Sequence, residues 1–171
     1  MSYLKIETGY ENVMSGSSEL AKKETNDCVV RAFASAANVA YEVSHRFCKE
    51  VFSRESKKGV NTYLMTAQLL RAEQDGLKIG NKEYSVKVLG RDDTMNRYNL
   101  KGEIVYRKKT LKSFIESHTK GTFVVCVANH AICIKDGELF DWNSLTFKPT
   151  RKVLKAYRLE EKVKCVQLSL F

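Results

Sequence analysis

Thr25-Asn26-Asp27-Cys28-Val29-Val30-Arg31-Ala32-Phe33-Ala34-Ser35-Ala36-Ala37 is the stretch on which the reading of this chain turns. Its first three residues are helix-capping types, and from Cys28 onward the run is apolar almost all round, broken only by Arg31 and Ser35. A helix with no polar face must be buried on most sides, so it belongs at the centre of the fold. Its first turn holds a thiol. Unpaired N–H groups and the helix dipole favour negative charge at that end, which is what a cysteine nucleophile needs. The bland alternative is a cysteine that merely packs, but the polar Asn26-Asp27 approach argues against deep burial at position 28. Asn26 itself is either a cap for this helix or a donor to a developing oxyanion.

Working outward, Asn38 breaks the helix and a second one is expected over residues 41–53. Tyr41, Val43, Phe47, Val51 and Phe52 form its packing stripe, with His45, Cys48 and Lys49 towards the polar side. Asn61-Thr62 caps a third helix ending at Gly76, with Leu64, Leu69 and Leu70 apolar. Residues 83–89 alternate as a strand. Residues 90–103 are polar and irregular and read as a surface loop bordering a cleft. Thr110 starts a short helix that Gly121 closes.

The strongest β signal follows. Phe123 to Val127 and Ala131 to Ile134 are apolar runs, and Asp136-Gly137 is a two-residue hairpin turn. Further strands are expected at residues 153–159 and 163–170. Helices first and a mainly antiparallel sheet afterwards give an α+β fold. Residues 1–24, with Ser and Gly around position 16, read as a flexible arm. Residues 25–171 then form one domain, with a helical half over 25–80 and a sheet half over 81–171.

His130 sits at the head of the first hairpin strand, where an ionisable side chain among apolar neighbours needs a reason. The other two histidines, His45 and His118, lie in a helix and at an exposed helix end. If Lys135 faces Glu138 across the turn, His130 is opposite Asn143 and Asp141 is opposite Ile132. Period-two alternation then puts His130, Asp141 and Asn143 on one face. Opposed Cβ atoms lie ~5 Å apart and diagonal ones ~7–8 Å. Register favours Asn143 as the group that orients the imidazole, while charge favours Asp141 as the stabiliser of an imidazolium.

Composition narrows the alternatives. The 171 residues are 43% hydrophobic with one proline, which describes a globular chain. No run reaches the ~18 apolar residues of a membrane span, and Met1-Ser2-Tyr3-Leu4-Lys5 lacks a secretion signal, so an intracellular, cytoplasmic setting is expected. The five cysteines (28, 48, 126, 133 and 165) form no CxxC pair, so neither a metal site nor a cofactor is expected. Four of them are read as reduced core residues. The net charge of +9 favours polyanions or acidic partners. The basic residues are nevertheless scattered, and no nucleic-acid-binding motif accompanies them. Nucleic acid is a second-choice ligand and a solvated basic surface the first reading.

Residues 25–32 (TNDCVVRA) with Tyr41 to His45, then residues 110–115, 121–125, 129–131 and 135–141 (KDGELFD), resemble papain-like proteins found in bacteriophages. More broadly, the chain is similar to bacteriocin-processing papain-like peptidases. The resemblance implies Cys28 as nucleophile, His130 as base and Asp141 as orienter, in a phage protein working in the host cytoplasm. It covers less than half of the chain. One departure is plain: papain-like enzymes commonly carry an oxyanion-donating Gln about six residues before the cysteine, where this chain has Lys22 and no Gln precedes Cys28.

The expected function is a cysteine-dependent hydrolase that cuts an amide or isopeptide bond in a peptide or protein through an acyl-thioester. Acyl transfer would use the same three groups. The alternative is a non-enzymatic basic module on a papain-like scaffold, docking on nucleic acid or an acidic host protein. Nothing in the sequence fixes an oligomeric state.

Overall fold

In a computed structural model, residues 18–141 and 148–163 are described. Cys28–Ala37 forms a helix, α2, and Asn38 ends it in the left-handed region with φ 49°. Eight of its ten residues are buried, which its all-round apolarity requires. It is preceded by α1 (Glu19–Lys23), capped by Ser18 Oγ accepting from Ala21 N–H. The expected arm is therefore helical over its last turn, with Ala21 buried; residues 1–17 lie outside the described chain.

Two longer helices follow, α3 (Tyr41–Phe52) and α4 (Thr62–Asp75), and Asn61 Oδ1 caps α4 by accepting from Tyr63 and Leu64 N–H. On α3 the inward stripe is Tyr41, Ser44, Phe47, Cys48 and Phe52. Cys48 is fully buried, against the expectation that it lies on the polar side. Residues 41, 44, 48 and 52 recur at helical spacing, and a thiol beside phenylalanines behaves as a small hydrophobe. The same correction runs the other way on α4, where Met65, Leu69 and Ala72 are buried and Leu70 is half exposed. Phe33 of α2 meets Phe47 and Phe52 at ring-centroid distances of 5.3 and 5.4 Å. Such aromatic pairs add ~0.5–1.5 kcal/mol each beyond the area they bury.

The main sheet holds six strands, β1 (Leu77–Ile79), β2 (Lys82–Val88), β5 (Thr122–Val127), β6 (His130–Lys135), β7 (Glu138–Phe140) and β8 (Lys155–Glu161), in the order β1-β2-β8-β5-β6-β7. Every pairing within it is antiparallel. The chain is thus α+β with an antiparallel sheet, as expected from sequence. β8 lies between β2 and β5, so the last described strand joins the early hairpin to the late one. Both faces of the sheet are covered. On one side Tyr84, Val124, Cys126, Ala131, Cys133 and Tyr157 pack with α2, α3 and α4. On the other, Phe123, Val125, Val127, Ile132 and Ile134 pack with Leu111, Phe114 and Ile115 of α6 (Leu111–Ser117). A strand dry on both faces has no polar alternate positions, hence the continuous apolar runs in β5 and β6.

Residues 90–103 are not a loop. They contain a one-turn helix, α5 (Arg91–Thr94), and most of a separate two-stranded ribbon, β3 (Met95–Leu100) paired with β4 (Glu103–Lys108). Lys101 and Gly102 both take positive φ (52° and 87°), the conformation of a tight hairpin turn. The strand expected at residues 163–170 and the thiol of Cys165 fall outside the described residues, apart from Val163, which lies in no strand. Among the described residues no helix is long and apolar enough to cross a membrane.

Candidate active site

Asp27 occupies the N-cap position of α2 but does not cap it. Its buried carboxylate is turned elsewhere: Oδ2 accepts from Arg31 Nε at 3.0 Å and from the Tyr41 hydroxyl at 2.7 Å. The first-turn N–H groups of α2 are left without a cap from this side chain, beside Cys28. Asn26 does not cap the helix either. It adopts φ 53°, and its Nδ2 donates to the Lys57 carbonyl at 3.1 Å, so one of its two amide hydrogens is committed to a tether.

That tether is part of a clasp between two loops. Glu24 accepts from Arg54 Nη2 (2.8 Å), Ser56 Oγ (2.7 Å) and Lys57 N–H (2.8 Å). The same Arg54 nitrogen reaches the Thr25 carbonyl, and Thr25 Oγ1 reaches the Lys57 carbonyl. Arg54 and Glu24 side chains are 1% and 3% exposed. Burial alone would raise the Glu24 pKa, but the Ser56, Lys57 and Arg54 contacts outweigh it and bring it down to about 2. The segment leading into Cys28 is thereby fixed to the loop that ends at α4.

His130 is carried by the sheet, at the head of β6, the strand that packs against α2. Val127 pairs with His130 across the Ala128-Asn129 turn, where Asn129 takes φ 55°. On the other hairpin, Asp136 and Gly137 both have positive φ, and the register runs Lys135–Glu138, Ile134–Leu139, Cys133–Phe140. One step further sets Asp141 across from Ile132 and diagonal to His130. The diagonal pair meets: His130 Nε2 stands 2.8 Å from Asp141 Oδ2, with the two side chains 12% and 3% exposed. A carboxylate only accepts, so the Nε2 hydrogen points at Asp141 and Nδ1 is left for the thiol. Asn143, the other candidate orienter, lies outside the described residues.

Cys28 and His130 line one cleft, and the Cys28 side chain is among the groups that act on the imidazole. Burial pushes the imidazole pKa down, but the Asp141 hydrogen bond and the Cys28 contact outweigh it and raise it to about 9. Because the folded value exceeds the ordinary 6.5 of a free imidazole, this pair's contribution to stability is complete below pH 6.5 and is lost as pH rises through about 9. Urea unfolding at a series of pH values should show that decline in the native chain and a flatter profile in His130→Gln; identical slopes would refute the pairing.

Cys28, His130 and their neighbours line a cleft of about 840 Å³. Its walls are Asn26 to Val29, the loop residues Gly59, Val60 and Thr62, the turn residues Val127 to Ala131, Cys126 and Leu154. The loop wall and Leu154 carry no chemical signature in the sequence; only packing brings them there. The remaining described thiols, Cys48, Cys126 and Cys133, are buried, and burial pushes each up to about 12. Cys28 is the one half-exposed thiol among the described residues. The other two histidines stand apart from this constellation. His45 Nε2 is 3.4 Å from Glu24 in the clasp, and His118 stacks on Phe114 near Asp93. In comparisons with known proteins, no family model, curated protein or solved structure matches this chain.

Proposed function

We propose that this protein is a cysteine-dependent hydrolase with a papain-like arrangement, cutting an amide or isopeptide bond in a peptide or protein, in keeping with the phage proteins it resembles. The observation that carries this reading is the meeting of a helix-terminal thiol and an imidazole on one cleft, with a buried carboxylate hydrogen-bonded to the imidazole from behind. Cys28 Sγ, as thiolate, attacks the carbonyl carbon, and the resulting oxyanion lies against the uncapped N–H groups of α2. The His130 imidazolium gives its Nδ1 proton to the amine as the C–N bond breaks, leaving an acyl-thioester. Water then attacks the thioester, its proton passes to Nδ1, and the C–S bond breaks to restore the thiolate. Asp141 holds the ring by Nε2 throughout. Backbone donors at the helix start would take over the duty that papain-like enzymes give to a Gln before the cysteine, and Asn26, a residue of the cleft wall, has one Nδ2 hydrogen left to add.

The test is selective alkylation. Iodoacetamide at neutral pH should modify Cys28 far ahead of Cys48, Cys126 and Cys133, read by peptide mass mapping at early times. Labelling of Cys28 no faster than that of a cysteine in a free peptide, or unchanged in His130→Ala, would refute the proposal.

A further inference from the structure

The ribbon β3–β4 does not join the main sheet and is exposed along most of its length. An isolated two-stranded hairpin is marginal in water, yet this one shows its large side chains to solvent. Of the eight large hydrophobics exposed among the described residues, four (Tyr98, Leu100, Ile104 and Tyr106) are on the ribbon. Clustering of that kind marks a contact surface. Its charge is one-sided: Arg97, Lys101, Arg107 and Lys108 face a single acid, Glu103. None of those four cations forms an ion pair among the described residues.

Both exposed tyrosines carry a guanidinium. Arg107 Cζ is 5.9 Å from the Tyr98 ring centre, and Arg91 Cζ is 4.9 Å from that of Tyr106. The register puts Tyr98 opposite Val105 and Tyr106 opposite Arg97, so the two Tyr–Arg pairs are on opposite faces of the ribbon. A ring held under a guanidinium offers its free face to a base, and the guanidinium is placed for the adjoining phosphate. An acidic peptide would use the cations but has no need of two stacking platforms.

We propose that the ribbon over residues 95–108 binds single-stranded nucleic acid, by phosphate contacts from its cations and base stacking on Tyr98 and Tyr106. This surface is separate from the Cys28 cleft and does not depend on the reading of that site.

Fluorescence anisotropy of labelled 20-mer oligo-dT and oligo-rU, titrated with the full chain at several salt concentrations, tests it. Binding should weaken with salt, and Arg97→Gln with Lys108→Gln should lower the log–log salt slope by about 1.4, two single-strand phosphate contacts. Tyr98→Ser with Tyr106→Ser should weaken binding about tenfold at fixed salt with the slope unchanged, as loss of stacking requires. Cys28→Ser should bind as the native chain does, and circular dichroism should confirm that the variants are folded. Three results would overturn the proposal: no binding at low salt, equal loss in Lys57→Glu with Lys58→Glu, or a polyglutamate peptide competing on equal terms with the oligonucleotides.

Discussion

His130→Ala is expected to slow alkylation of Cys28 at pH 7 by about a hundredfold, the lower end of what a positioned acid–base partner contributes. The imidazole shares the cleft with Cys28 and is held by Asp141 through Nε2, so in the proposed mechanism its removal takes away both the proton acceptor and the cation beside the thiolate. Hydrolysis of any peptide substrate should fall further, by ~10⁴, the upper end of what a positioned acid–base partner contributes, because the leaving amine then has no proton donor. Asp141→Ala keeps the imidazole but deletes the contact that raises its pKa most; its titration, followed by NMR, should move down from about 9. An unchanged alkylation rate in His130→Ala would mean that the two groups share a cleft without sharing a proton.

The second large effect concerns stability. Arg54→Ala should cost ~3–5 kcal/mol, because it leaves the buried Glu24 carboxylate without its cation. For a chain of this size that is a fall in Tm on the order of 10 °C. Glu24→Gln with Arg54→Met, which removes both charges, should recover most of the loss, and a double-mutant cycle measures the coupling. The native contribution has a defined pH window. With a folded pKa of about 2, below the ordinary 4.5, it is present above pH 4.5 and fades as pH falls through about 2. In Arg54→Ala the acid sensitivity should start at higher pH. A loss under ~1 kcal/mol would show that the clasp behaves like an exposed pair.

What the sequence made legible follows a physical rule. The limits of α2 could be read because a helix buried all round has an unmistakable composition and Asn38 stops it. Asp136-Gly137 fixed the hairpin register, and from that register the diagonal approach of Asp141 to His130 could be counted. The choice between a directly opposed Asn143 and a diagonal Asp141 could not be counted, since it turns on side-chain reach. The ribbon was missed for the opposite reason. Both its faces meet solvent, so β3 has no hydrophobic alternation, and Lys101-Gly102 is a weaker turn signal than Asn-Gly or Asp-Gly. Cys48 was misplaced because one thiol shifts a helical stripe by a single position. The clasp joins residues some thirty apart through charges that look, in sequence, like ordinary surface residues.

The place of β8 has a consequence for how the molecule is made. The thiol is carried by the first third of the chain and the imidazole by the last third. The strand that stitches β2 to β5 comes after both. Until residue 161 has left the ribosome, the sheet exists only as two fragments, joined through the helices and not by strand pairing. Closure through so distant a segment is slow, since loop entropy must be met before the pairing repays it. A nascent chain therefore carries Cys28 for most of its synthesis before the sheet is completed.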